Sequence, residues 1–184
     1  MENKRKPLFA VRLAYAAVCL ALALVLPLLT ANIREFGNAL CPMHIPVLLC
    51  GFLCGWPWGL VVGLLAPVLR SVIFGMPSVF PEAVGMALEL ATYGFVSGLL
   101  YRLLPKKLSY LYVSLIAAMV SGRIVWGAAR YLLAGLTNTT FPFEVFLAGA
   151  LTTAVPGILL QIVIVPFILL ALEKENLVPG ESKQ

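Results

Sequence analysis

"LFAVRLAYAAVCLALALVLPLL", Leu8 to Leu29, is 22 residues long and carries a single charge, Arg12. A helix of that length measures roughly 33 Å at 1.5 Å per residue, enough to cross the hydrocarbon core of a bilayer. Lipid offers no water to backbone N–H and C=O groups, so a spanning chain is either helical or part of a closed barrel. Barrel strands alternate apolar and polar residues. This stretch does not alternate, so it reads as a helix. The basic start, "MENKRK", precedes an apolar run too long for a signal-peptide h-region. No small-residue cleavage site closes that run, and Pro27 interrupts it late. It is expected to be a retained first span.

Composition extends this reading to the whole chain. Of 184 residues, 61% are hydrophobic and 11% charged, and the mean hydropathy is +1.00. Soluble domains carry roughly 25% charged residues. The expected class is an all-α integral membrane protein, one domain over residues 1–184. Six spans are expected at about 8–29, 45–55, 60–74, 82–103, 110–133 and 144–172. The second and third fall short of the usual ~20 residues, so tilt or partial unwinding is expected there. "GWPWG" reads as a turn, and "GMPSVFP", "PKKLS" and "GLTNTTFPF" as loops.

Lys4, Arg5, Lys6, Arg12, Arg102, Lys106, Lys107 and Lys174 fall on one side of this arrangement. Arg34, Arg70 and Arg130 fall toward the other. The positive-inside rule puts both termini in the cytoplasm. The same clustering at helix ends accounts for the pI near 9.2 without nucleic acid as a partner. Cys19, Cys41, Cys50 and Cys54 show no metal-ligand spacing and read as small apolar helix residues. The sequon at Asn138–Thr140 matters only in a glycosylating pathway.

Ionisable residues inside spans are expensive and are candidates for function. Arg70, Glu82, Glu89, Arg123 and Arg130 all fall in the outer half or near the midplane. The inner half is nearly free of charge, which points to a polar cavity open to the outside. Arg123, Trp126 and Arg130 are spaced i, i+3, i+7 and share a helix face. Glu82, Gly85, Met86 and Glu89 share another by the same spacing. Two readings stand side by side. The deeper Glu89 and Arg123 form an ion pair between helices, or the group contacts a solute. Arginine exceeds glutamate here, and its planar fork suits a carboxylate or phosphate, while Trp126 offers a surface for stacking. His44 either makes a cap or loop hydrogen bond or touches ligand. Gln161 either bonds a neighbouring helix or points into the cavity, and Asn138 is a candidate cap over it.

Ala10, Ala14, Ala17 and Ala21 form a small-residue stripe along the first helix. Such stripes let helix backbones approach closely in lipid. Its partner is either another helix of this chain or a separate protein.

The alanine repeats "AVRLA" and "AVCLA", six spans in about 180 residues, a proline-rich outer loop, "PMHIPVLLCGF" and "GLVVGLLAPVLR" together resemble the substrate-binding S components of energy-coupling factor (ECF) transporters. The resemblance covers nearly the whole chain. It implies a multi-pass subunit of a bacterial-type plasma membrane that captures a water-soluble vitamin or related micronutrient from outside. It further implies docking through Ala10, Ala14, Ala17 and Ala21 on a transmembrane coupling subunit, and toppling driven by two cytoplasmic ATPases. Outer loops would gate the site, and spans four to six would line it. No Walker P-loop occurs in the chain, in keeping with a non-enzymatic subunit that needs no cofactor because its partners use the ATP. Ligand signatures of the riboflavin, thiamine and biotin members are missing. The arginines lean toward an anionic ligand such as pantothenate, then a pyridoxine-type vitamin. The rival reading is a stand-alone secondary carrier or channel for a small anionic solute. An intramembrane enzyme lacks its residues, since His44 has no serine motif to meet, and a purely structural membrane protein would bind no solute.

Overall fold

The computed structural model describes residues 5–30, 42–136 and 155–175. Arg34, Cys41, Asn138 with its sequon and the start of the sixth span at 144–154 lie outside the described residues. Among the described residues there are six α-helices and no strand: α1 (Arg5–Thr30), α2 (His44–Cys54), α3 (Trp56–Phe74), α4 (Val84–Leu103), α5 (Leu108–Leu136) and α6 (Val155–Lys174). All but α2 are long and apolar enough to cross a membrane. The chain is an all-helical multi-pass membrane protein.

The third span is not short, as expected from its apolar core, but 19 residues long. The "GWPWG" turn is confined to Gly55, whose φ of 93° suits a residue without Cβ. The helix then starts at once on Trp56. Pro57 lies in the first turn, where its missing N–H would have no helical partner anyway. At the far end Gly75, at φ 71°, turns the chain out of α3 and donates its N–H to the Ser71 carbonyl at 2.9 Å. The loop beyond it contains cis peptides at Met76–Pro77 and Phe80–Pro81, and the Ser71 hydroxyl donates to the Pro77 carbonyl at 2.5 Å. A π-helical turn, Val79–Ala83, leads into α4.

α4 is the central helix and packs on α2, α3 and α5. Glycines decide how close these helices come. A Cβ at Gly59 of α3 would lie 2.5 Å from the Gly94 carbonyl oxygen of α4, and one at Gly94 would strike Gly59 in return. One turn along each helix the contact repeats. A Cβ at Gly98 would lie 2.5 Å from the Trp56 nitrogen, and one at Gly63 would collide with the Leu90 carbonyl. Gly51 of α2 meets Ser97 and Gly94 in the same way. Backbone therefore lies on backbone at the meeting of three helices. In lipid this close packing supplies the attraction that the hydrophobic effect supplies in water.

Side chains join α2, α4 and α6 near the end of α4. Tyr101 of α4 donates its hydroxyl to Glu173 of α6, Phe52 of α2 packs edge-on against the Tyr101 ring, and the Lys106 ammonium sits 3.7 Å from that ring's centroid. α1 lies at the periphery. It buries Ala16, Cys19, Ala23 and Pro27 against α2 and α3 and leaves much of its surface exposed.

The glycine contact has no room for a methyl group. Gly59→Ala is expected to cost at least about 2 kcal/mol of stability, read as a lowered thermal midpoint in detergent. Gly135→Ala, with nothing within 4 Å of its Cβ position, should stay within about 1 kcal/mol of the parent.

Candidate functional site

Three helices bring polar side chains to one point in the outer half of the bundle. α2 begins at His44, α4 carries Glu89 five residues after its start, and α5 carries Arg123 near its middle. Arg123 Nη1 lies 3.2 Å from Glu89 Oε1, and His44 Nε2 lies 3.5 Å from the same oxygen. The Glu89 side chain is 2% exposed, that of Arg123 15%. A carboxylate so deep in an apolar bundle is tolerable because a full guanidinium charge stands beside it.

Local packing explains why the residues reach each other. Gly122 precedes Arg123, and a Cβ on it would lie 3.1 Å from the Tyr93 ring and 3.2 Å from the Glu89 carbonyl. α5 can thus close onto α4 at the level of the ion pair. Tyr93, itself buried, stacks edge-on against the His44 ring at 5.1 Å between centroids and holds the imidazole toward Glu89. The next turns of α5 follow the same face. Arg123 Cζ stands 5.9 Å from the centre of the Trp126 ring, and Gly85 of α4 faces Arg130 Cδ at 3.3 Å and Trp126 Cδ1 at 4.0 Å, measured from its Cβ position. The i, i+3, i+7 row of α5 therefore faces α4 along its length.

The remaining sequence candidates are distributed differently. Glu82 sits on the π-helical turn before α4 and is exposed, so it does not share the burial of Glu89. Regular helical spacing begins only after that turn, which limits how far a wheel drawn back to Glu82 holds. Arg70 turns to α1, donating from Nη1 to the Leu24 carbonyl at 3.1 Å, with its Cζ 5.6 Å from the Phe74 ring centre. Gln161 of α6 is 1% exposed, and its Oε1 accepts no hydrogen bond among the described residues. His44 does not cap α2, whose cap position is Met43 without a side-chain bond. Its Nδ1 is buried and has no hydrogen-bond partner among the described residues. Asn138 lies outside the described residues. Ala10, Ala14, Ala17 and Ala21 are all exposed on α1, so no helix within the described residues covers the stripe.

Reading the sequence missed Tyr93 and Gly122, and it did not pair His44 with Glu89. A tyrosine and a glycine in an apolar helix carry no local mark of what they face. His44 precedes Glu89 by 45 residues, and only the α2–α4 packing joins them.

Removing one side of a buried ion pair leaves the other charge uncompensated, at a cost of about 3–5 kcal/mol. Arg123→Leu is expected to destabilise the protein by that order. Glu89→Leu combined with Arg123→Leu should recover more than about 1 kcal/mol of it in a double-mutant cycle of thermal unfolding. Additive losses would show that the two side chains do not interact.

A family model described as "ECF transporter, substrate-specific component" matches residues 11–169. Neither the curated proteins nor the solved structures contain a match to the chain.

Proposed function

The chain belongs to the substrate-specific components of ECF transporters, and from that membership we propose that it captures a small water-soluble solute bearing a carboxylate or phosphate in the outer half of its helix bundle. As a member of that family it is a transporter subunit and not an enzyme, and it works with a coupling module and ATPases. The observation that carries the proposed site is the set of buried polar atoms left over once the ion pair is made. Glu89 is matched by Arg123, but His44 Nδ1 and Gln161 Oε1 are buried without a hydrogen-bond partner among the described residues. An unmade buried hydrogen bond costs about 1–3 kcal/mol, and a bound solute would recover it.

Charge favours an anion. The Arg123 and Arg130 guanidiniums stand on the same helix face, with Trp126 between them as a flat apolar surface. A bidentate guanidinium–anion contact beside an aromatic ring suits a pantothenate-like ligand, and a pyridoxine-type vitamin is the next choice. Capture by itself moves nothing across the membrane. The exposed alanine stripe of α1 is the proposed grip for the coupling subunit, since its small side chains permit close helix contact. A stand-alone carrier is the weaker reading, because the family model that matches the chain is that of the substrate-specific components of ECF transporters.

Mass spectrometry of small molecules retained by the purified protein tests the reading. One carboxylate- or phosphate-bearing species is expected at near-stoichiometric amount. Arg130→Ala should lower its affinity by more than about tenfold, the equivalent of a single charge-assisted hydrogen bond. Unchanged affinity would remove Arg130 from the site, and retention of a cationic species would overturn the charge assignment.

A further inference from the structure

The contacts of α1 single out Arg70 for a different task. α1 and α3 run in the same direction, and two contacts join them near opposite ends. Toward the inner side, the Phe9 ring of α1 lies 5.4 Å from the Trp58 ring of α3. Toward the outer side, Arg70 of α3 donates from Nη1 to the Leu24 carbonyl of α1 at 3.1 Å. Phe9 and Leu24 are separated by roughly 22 Å along the helix axis. Between these two points the fully buried side chains of α1 are small, Ala16, Cys19 and Ala23, while Tyr15 and Leu20 pack partly buried against the core.

The outer contact depends on local chemistry. Pro27 lies inside α1 and has no N–H, so the carbonyl of Ala23, next to Leu24, lacks its helical donor. A guanidinium within a span is expensive. The Leu24 carbonyl accepts from it and the Phe74 ring covers part of the cation, which lowers that cost.

We propose that Arg70 is a positioning residue that fixes the rotation of α1 about its own axis and so keeps Ala10, Ala14, Ala17 and Ala21 turned away from the bundle. At 100° per residue the alanine stripe lies roughly 155° around the helix from the buried row. Small residues along that buried row provide little shape of their own to resist rotation. The Arg70 bond and the Phe9–Trp58 contact add to the packing of Tyr15 and Leu20 in resisting it. Arg70 thus acts on partner docking rather than on solute capture. This rests on the alanine stripe being the docking face.

The experiment compares the parent with Arg70→Met, Arg70→Lys and Ala14→Trp in the full chain. Retained solute is quantified by mass spectrometry, and co-purification with the coupling subunit and ATPases is measured alongside. A spin label at position 17 reports lipid exposure of the stripe through its oxygen accessibility. Arg70→Met should retain solute at the parent level, lose co-purification by about tenfold, the size expected of one charge-assisted hydrogen bond, and lower the label's oxygen accessibility. Arg70→Lys, which keeps a donor and a charge, should restore co-purification and accessibility. Loss of retained solute in Arg70→Met with assembly and label unchanged would overturn the proposal and return Arg70 to the ligand site. Parent-like behaviour in all three measurements would overturn it as well. If Ala14→Trp still co-purifies, the docking reading fails on its own, and the label alone then decides whether Arg70 sets the rotation.

Discussion

The Glu89 carboxylate is the constraint around which the bundle is arranged. It lies in the outer half of the central helix, almost wholly out of contact with solvent, and an ionised group there is tolerable only with its charge matched. Arg123 supplies that charge from α5, and His44 approaches the same oxygen from the start of α2. Three helices must therefore meet at one level with little freedom in register. A slip of a single residue along α5 would carry Arg123 about 1.5 Å along and 100° around the helix, away from its partner.

The glycine rows make such a meeting possible. Gly51, Gly59, Gly63, Gly94 and Gly98 bring the backbones of α2, α3 and α4 together with no space for a side chain, and Gly122 does the same for α5 beside Tyr93. Close packing of this sort permits few alternative registers, so it fixes the height of each polar group as well as the strength of the contact. The rigid part of the molecule thus carries the polar cluster. α1, packed at the edge and joined to α3 by the Phe9–Trp58 and Arg70–Leu24 contacts, carries the exposed stripe. In the proposed function these two parts do separate work: one holds the solute and the other meets the partner.

Much of the fold was legible from the sequence because spanning helices announce themselves along the chain. The run from Leu8 to Leu29 excludes a barrel by its lack of alternation, and the i, i+3, i+7 spacing of Arg123, Trp126 and Arg130 places them on one face without knowledge of any partner. Depth in the membrane offered an ion pair of Arg123 with Glu89 as one of two readings, a solute contact being the other. Other features depend on which helix lies next to which. Gly59 and Gly94 are ordinary glycines until α3 and α4 are paired, and His44 reads as a capping residue until α2 is set beside α4. The length of α3 was misjudged because proline and two tryptophans look like a turn, although proline is well accommodated in a first helical turn. The ligand contacts themselves depend on the solute's chemistry, which no spacing rule encodes.

Uptake by sealed vesicles tests the division between capture and movement most directly. The solute retained by the purified protein would be supplied, in labelled form, to vesicles holding the chain alone, the chain with its coupling module, and the chain with the module and internal ATP. Binding is expected in every case, and accumulation only in the last. Accumulation by the chain alone, driven by a gradient of solute or ions, would contradict it.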